Sequence, residues 1–379
     1  MENKLKIVSG VLLLVVVIAT IGFLIFFNFN FDKGKKLPDI RYDSSITEDS
    51  EAIFNDKDAL YSYVKKFGPK QTVQHLNRLS ATFGSCHDSA HRAGRYSYEI
   101  YNEKSFKLCG AECHSGCYHG ATEAYFRDHG TTNLAENLNL LCSSELNGFF
   151  THQCIHGIGH GLMAWTSYDL PEALKSCNLL NQRQDSCWTG VFMENIVGGL
   201  AKKDIEKGGD ADHFTKYLSD DPQYPCNSPE VEDRYKWSCY FLQTSRMAQL
   251  FNGDFKKIAE ACLEAEKPHQ QSCFNSMGRD VGGFNPHNAP AAIAACKNAL
   301  QGPYRIGCLM GAVQDSMWDP TGQDDAITFC KLLTSKEEKD ACYGTIFQRA
   351  TEIFTSASDL KIFCSKAENQ YQDQCPKSI

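Results

Sequence analysis

The residues of this chain best suited to chemistry are histidines at helical spacing. Nine of its twelve histidines lie between His75 and His160, and three pairs there stand four residues apart: His87 with His91, His119 with Glu123, and His156 with His160. Side chains four apart share one face of a helix, so each pair offers two ligands to one point. The pairs are also periodic, beginning 32 and then 37 residues apart. His119 and His156 each follow a cysteine by two positions, in Cys117-Tyr118-His119-Gly120 and Cys154-Ile155-His156-Gly157. Equivalent slots of successive repeats lie side by side. His87, His91, His119, Glu123, His156 and His160 are therefore expected to ligate one or two transition-metal ions. Imidazole suits zinc, copper and iron, and a shell rich in histidine and poor in carboxylate favours zinc or copper over iron.

His152, one turn before His156, and Glu194 are expected as supporting groups behind the ligands. Two features qualify the pattern. His87 directly follows Cys86, so counting from the cysteines displaces the first pair by one residue, about 100° around a helix. Either that hairpin is skewed or it gives a single ligand. Beyond His160 the slots hold Thr189 and Met193, with Glu194 next, and Asp280 and Asp315 fill its slot later, which argues for a structural role for all three acids. Tyr118, Tyr125, His129, His152 and Trp165 are near enough in sequence to serve proton transfer or substrate contact. Without metal, the histidines would simply line a polar groove, each satisfied by backbone or water.

The elements that position these residues are set out by the cysteines. From Cys142 onward they fall into seven pairs: Cys142 with Cys154, Cys177 with Cys187, Cys226 with Cys239, Cys262 with Cys273, Cys296 with Cys308, Cys330 with Cys342, and Cys364 with Cys375, each 10 to 13 residues apart. First members recur at steps of 35, 49, 36, 34, 34 and 34. A period near 34 marks stacked helix pairs, with an insertion at residues 201–225. Segments such as Ala289 to Ala299 and Ser335 to Ile353 are rich in helix formers, and Ser335 with Glu338 reads as a capping box. The fold class is all-α, an α-solenoid of disulfide-stapled antiparallel helix pairs. Helix A carries the first cysteine near its end and helix B the second in its early turns. Each disulfide would contribute about 2–3 kcal/mol by constraining the unfolded chain.

The four remaining cysteines, Cys86, Cys109, Cys113 and Cys117, allow three connectivities. Cys109 with Cys117 as the hairpin staple, leaving Cys86 for Cys113, is the expected one. Cys109 to His114 reads CGAECH, one residue longer than haem-attachment spacing, and disulfides account for it without haem. The residue three after the second cysteine is small in Gly120, Gly157, Gly190, Ser276 and Gly311, which predicts close helix approach rather than a phosphate-cradling loop. The plan is similar to that of the cysteine-rich Sel1-like repeat proteins, which also staple antiparallel helix pairs. The resemblance implies architecture alone, since the Sel1 consensus does not occur here.

Residues 1–6 read as a cytoplasmic tail, 7–27 as a transmembrane anchor of about twenty apolar positions, 28–50 as a linker, and 51–379 as the repeat domain. Within the last, 75–165 hold the histidine-rich repeats and 226–379 the structural ones. Eighteen cysteines beyond the span require an oxidising compartment, so the expected location is a single-pass cell-membrane protein with its repeats on the extracytoplasmic side. A net charge of -8 excludes a nucleic-acid partner. Three functions compete: a metalloenzyme, either a zinc hydrolase or a copper or iron oxidoreductase; a scaffold engaging a protein or small molecule on the concave face; and a surface protein for metal capture or delivery.

Overall fold

The computed structural model describes residues 52–378, apart from 84–85, 111, 114, 131, 143–147, 207–212, 318–321 and 355. The expected tail, membrane span and linker at residues 1–50 lie outside the described residues. Everything described belongs to one unit, Ile40–Ile379. Among the described residues no helix is long and apolar enough to cross a membrane, and the chain is helical, with a lone bridge between Leu200 and Phe214 in place of any strand.

The order is helix, turn, helix. Lys57–Phe83 (α1) turns at Gly68, where φ is 77° and Pro69 follows. His87–Tyr101 (α2), Gly116–His129 (α3), Leu134–Leu141 (α4), Gly148–Trp165 (α5), Leu170–Cys177 (α6) and Gln184–Met193 (α7) complete the histidine-bearing half. Asp233–Phe251 (α8), Phe255–Glu264 (α9), Gln270–Phe284 (α10), Ala289–Ala295 (α11), Pro303–Ser316 (α12), Gln323–Leu332 (α13), Lys336–Ile353 (α14) and Ala357–Ser365 (α15) form the other half.

All eighteen cysteines pair. The structure joins Cys86 to Cys113 and Cys109 to Cys117, the expected choice among the three connectivities. It then joins Cys142 to Cys154, Cys177 to Cys187, Cys226 to Cys239 and Cys262 to Cys273. Cys296 to Cys308, Cys330 to Cys342 and Cys364 to Cys375 complete the set, and no cysteine is free. Cα separations of 5.5 to 5.8 Å are ordinary for the bond.

Second cysteines lie where the hairpin plan puts them: Cys154 in α5, Cys187 in α7, Cys239 in α8, Cys273 in α10, Cys308 in α12 and Cys342 in α14. Two positions depart from the plan. Cys375 sits in a bend beyond the last short helix, Asn369–Gln372, rather than inside a helix. The hairpin of Cys226 and Cys239 lacks its first helix, which is replaced by the turns that end the 201–225 insertion, and Cys226 sits in one of them. Elsewhere the first helix of a hairpin is short, and in several of them a side chain caps it. Asp169 accepts from the amide of Glu172, Asp254 from those of Lys256 and Lys257, and Asn288 from that of Ala291.

Second helices pack on one another in chain order, α2 on α3, then α5, α7, α8, α10, α12 and α14. Glycine makes the tightest crossings possible. A Cβ on Gly120 would collide with the carbonyl of His91, one on Gly190 with that of His156, and one on Gly311 with that of Asn275. Those glycines thus let neighbouring backbones touch. The last of these helices returns to an early one, because α14 also contacts α5 and the Arg349 guanidinium lies 4.9 Å from the centre of the Phe149 ring.

One local expectation fails. Ser335 precedes α14 in extended conformation but its side chain caps nothing, and Glu338 instead pairs with Arg305 Nε at 2.5 Å. Arg305 is buried, so leaving it unpaired would cost more than an unmade cap.

Candidate metal centre

Helices α2, α3 and α5 bring five imidazoles together. His87, His91 and His119 form one triad of ligand nitrogens within 4.8 Å of one another, and His119, His156 and His160 form a second. His119 belongs to both. Its ring stacks on that of His160 at 3.7 Å between centroids and meets those of His91 and His87 edge-on at 4.9 and 5.3 Å. His119, His156 and His160 are buried.

The outer nitrogens of four of these rings are committed. His87 Nδ1 donates to the Cys113 carbonyl at 3.0 Å. His91 Nδ1 donates to Glu123 Oε1 at 3.1 Å, and Arg95 holds the other carboxylate oxygen at 2.7 Å. His160 Nδ1 donates to Glu194 Oε2 at 2.7 Å, and Glu194 Oε1 accepts from the Tyr168 hydroxyl at 2.7 Å. His156 Nδ1 lies 3.0 Å from Thr189 Oγ1, whose own proton goes to the Ser186 carbonyl, so the imidazole is the donor. A neutral imidazole carries one N–H. Once Nδ1 holds it, Nε2 keeps a lone pair, and that nitrogen is the one suited to bind a cation.

Proton accounting then exposes a mismatch. His156 Nε2 and His160 Nε2 face each other at 3.2 Å, two acceptors with no donor between them. His119 Nδ1 can donate to His91 Nε2 at 3.0 Å, which leaves His119 Nε2 as a lone pair, and that atom is buried with no hydrogen-bond partner. Polar atoms buried in this way cost a few kcal/mol unless something satisfies them. A cation does so, and imidazoles whose far nitrogen is held by carboxylate, carbonyl or hydroxyl are the usual form of metal-binding histidine.

Electrostatics hold His119 and His156 neutral and the two acids ionised. Burial, and then the rings of His160, His91, His87 and His156, hold His119 well below the usual histidine range. Burial followed by His160 and His152 does the same to His156. Burial alone would raise the Glu123 carboxyl, but the hydrogen bond and charge of His91, with Arg95, outweigh it and set it at about 2. Glu194 is lowered likewise: burial opposes ionisation, and the hydrogen bond and charge of His160 overcome it.

Five of the six expected ligands converge, and Glu123 does not. Its carboxylate stands behind His91, aimed at Nδ1 and Arg95. The first pair also contributes both rings, contrary to the skew counted from Cys86. That cysteine lies outside the helix and bonds to Cys113 in the next hairpin, so it is not the register mark that Cys117 and Cys154 are. Counted between helices, His87 to His119 and His91 to Glu123 are both 32 residues. Glu194 departs from Asp280, which sits in a network of hydroxyls and Arg279. A π turn over Glu194–Gly198 follows α7, and its first residue, one past the helical slot, reaches His160.

His152 lies on the other side of the cluster, its Nδ1 2.6 Å from Ser186 Oγ. Tyr118 donates to the Cys109 carbonyl of its own hairpin, Tyr125 stacks on His129 along α3, and Trp165 packs by Gly130, so these contacts serve packing. Thr189, Tyr168, Arg95 and the Cys113 carbonyl were not foreseen as orienting groups. A signal existed, since the groups that orient His91, His156 and His160 follow them by 32, 33 and 34 residues, one repeat on. The insertion and the residue before it also contribute. His213 and Leu200 join His87, His91, His160 and Glu194 around a cavity of about 390 Å³ that opens on the cluster. Comparison of the chain with protein-family models, with characterised proteins and with solved structures finds no match.

Proposed function

We propose that this chain is a membrane-tethered, extracytoplasmic α-solenoid whose histidine-bearing hairpins hold a resident zinc or copper centre. The ligands are drawn from His87, His91, His119, His156 and His160, two overlapping triads that share His119; with its Nδ1 proton donated to His91, His119 offers Nε2 to the ion held by His156 and His160. The supporting observation is the pair of lone-pair nitrogens of His156 and His160 facing each other 3.2 Å apart beside the unpartnered Nε2 of His119. Bound zinc would supply Lewis acidity for hydrolysis, and bound copper would supply electron transfer for oxidation.

This chain's own residues supply the rest. Glu123 and Glu194 fix the tautomers of His91 and His160, Thr189 fixes that of His156, and the open cavity beside His87, His91 and His160 admits substrate. Burial of His119 favours a resident ion over one captured and released, and so an enzyme over a delivery protein. A pure scaffold leaves the facing nitrogens without a reason. Elemental analysis of the full chain, purified in detergent without a histidine tag, tests the reading. Stoichiometric zinc or copper, lost in His156→Ala/His160→Ala, is expected; metal-free protein that takes up neither ion on reconstitution would refute it.

A further inference from the structure

A second cavity, of about 200 Å³, lies where α14 returns to α5; His156 and Thr189 border it, but the metal reading does not use the space itself. Its walls come from both halves of the repeat domain. His152, Gln153 and His156 stand on α5, Trp237 and Phe241 on α8, and Arg279 and Arg349 on α10 and α14.

We propose that this cavity binds a small aromatic carboxylate. The first reason is a pair of idle donors. Gln153 is 1 % exposed and gives its oxygen to the Ser115 hydroxyl, yet its Nε2 has no partner. Arg349 pairs one terminal nitrogen with Glu352 at 3.2 Å, and its buried Nε has no partner either. Buried donors without acceptors are costly, and a carboxylate held in the cavity that both residues line would bring the acceptor oxygens they lack. Arg279 differs, being held by the Phe241 carbonyl, Ser245 and Asp280, so it supplies a fixed charge rather than a free donor.

The second reason is the apolar wall. Trp237 and Phe241 stack in parallel, 5.1 Å apart at an interplanar angle of 10°, and Trp237 remains 47 % exposed. A large aromatic left this open beside two arginines offers a flat, unsaturated surface for a ring. The cavity also carries Asp185 and Asp315. Asp315 is raised to about 7 by burial, against Arg279 and with Asp280, so near neutrality it opposes an anion only in part. Size limits the ligand, because about 200 Å³ falls below the ~300–1,000 Å³ of pockets for drug-sized molecules. A single ring bearing one carboxylate fits that limit.

The test is titration of the full chain in detergent with benzoate and, in parallel, with its uncharged isostere benzamide, read by tryptophan fluorescence and calorimetry. Saturable benzoate binding is expected, with benzamide weaker by about tenfold or more. Arg349→Met should lower benzoate affinity by a similar factor and Trp237→Ala should remove the fluorescence response. Because losing Arg349 also breaks its pair with Glu352, Gln153→Leu is the second variant and should weaken benzoate while leaving helical content unchanged. Equal affinity for acid and amide, no response to millimolar benzoate, or full affinity in both variants overturns the proposal. Binding measured with and without chelator keeps this outcome separate from that of the metal reading, since neither idle donor is a metal ligand.

Discussion

Around Asp280, in the carboxy-terminal hairpins, donors meet acceptors. Thr244 bonds to Ser276 and Asp280, Ser245 bonds to Asp280, and Arg279 bridges Ser245 and Asp280, all within 2.5 to 2.9 Å. On the second helices of the amino-terminal hairpins the polar positions include histidines, with His160 six residues past its cysteine as Ser245 and Arg279 are past theirs, and there acceptor faces acceptor. Both regions use one scaffold, with a disulfide per hairpin and glycines at the crossings of α2 with α3, α7 with α5, and α12 with α10. Complementary polar groups are enough to glue one helix to the next. Identical ones that cannot satisfy each other mark a place prepared for something else, which is why the two regions are assigned different work.

The contrast breaks most visibly if the histidines are removed. His119→Ala should abolish stoichiometric metal, and chelation of the natural chain should lower its melting temperature. Metal at a thousandfold excess over Kd contributes about 4 kcal/mol. Asp280→Asn, the control in the other region, should leave metal content unchanged by elemental analysis. If Asp280→Asn also releases metal, the division between regions is wrong.

Glycine tests what the regions share. Gly190→Ala and Gly311→Ala each force a Cβ into a facing carbonyl and should cost about 1–3 kcal/mol in thermal or denaturant unfolding. Their stability losses should be similar. Only Gly190→Ala, which presses on the backbone of His156, should also weaken metal binding.

The orienting groups sharpen the comparison further. Glu194→Gln keeps shape but removes the charge that holds the His160 N–H, and metal affinity should fall by about 10- to 100-fold in a competitive chelator titration. Tyr168→Phe, one step farther out, should fall less. A Glu194→Gln protein with full affinity would reduce the carboxylate to packing.

The carboxy-terminal region also carries a pH dependence of its own. Asp315 is raised to about 7 by burial, with Arg279 opposing and Asp280 assisting. A carboxyl raised in the folded state leaves stability intact below its unfolded value, ~3.9, and stability is lost as pH climbs toward the folded value. Asp315→Asn should therefore match the natural chain near pH 4 and exceed it at pH 8, by up to ~4 kcal/mol for a shift of about three pKa units, in parallel melts. A constant difference across that range would remove the titration from the explanation.

Much of this is legible in the chain alone. The cysteine period marks the hairpins, and helical spacing groups the histidines, because both depend only on distances along the chain. The capping box at Ser335 fails for the opposite reason: Glu338 has a partner in Arg305, 33 residues away, that no local rule reveals. Glu123 is misplaced in a similar way. Spacing puts it on the right face of α3, but whether a carboxylate faces the cluster or a neighbouring ring depends on how α2 and α3 cross, and that is set by Gly120 against the His91 carbonyl.

By itself, then, the amino-acid order determined the repeating helical hairpins, the pairing of cysteines close in sequence, and which five imidazoles share a period. Tertiary structure alone decided which nitrogen of each ring is committed, which acids stand behind them, and that α14 comes back to α5 to enclose a second cavity. The reason is range. Periodicity fixes directions around a helix axis, whereas a hydrogen-bond partner is chosen by the angle and depth at which two helices meet, and that follows from side chains a full repeat or more apart.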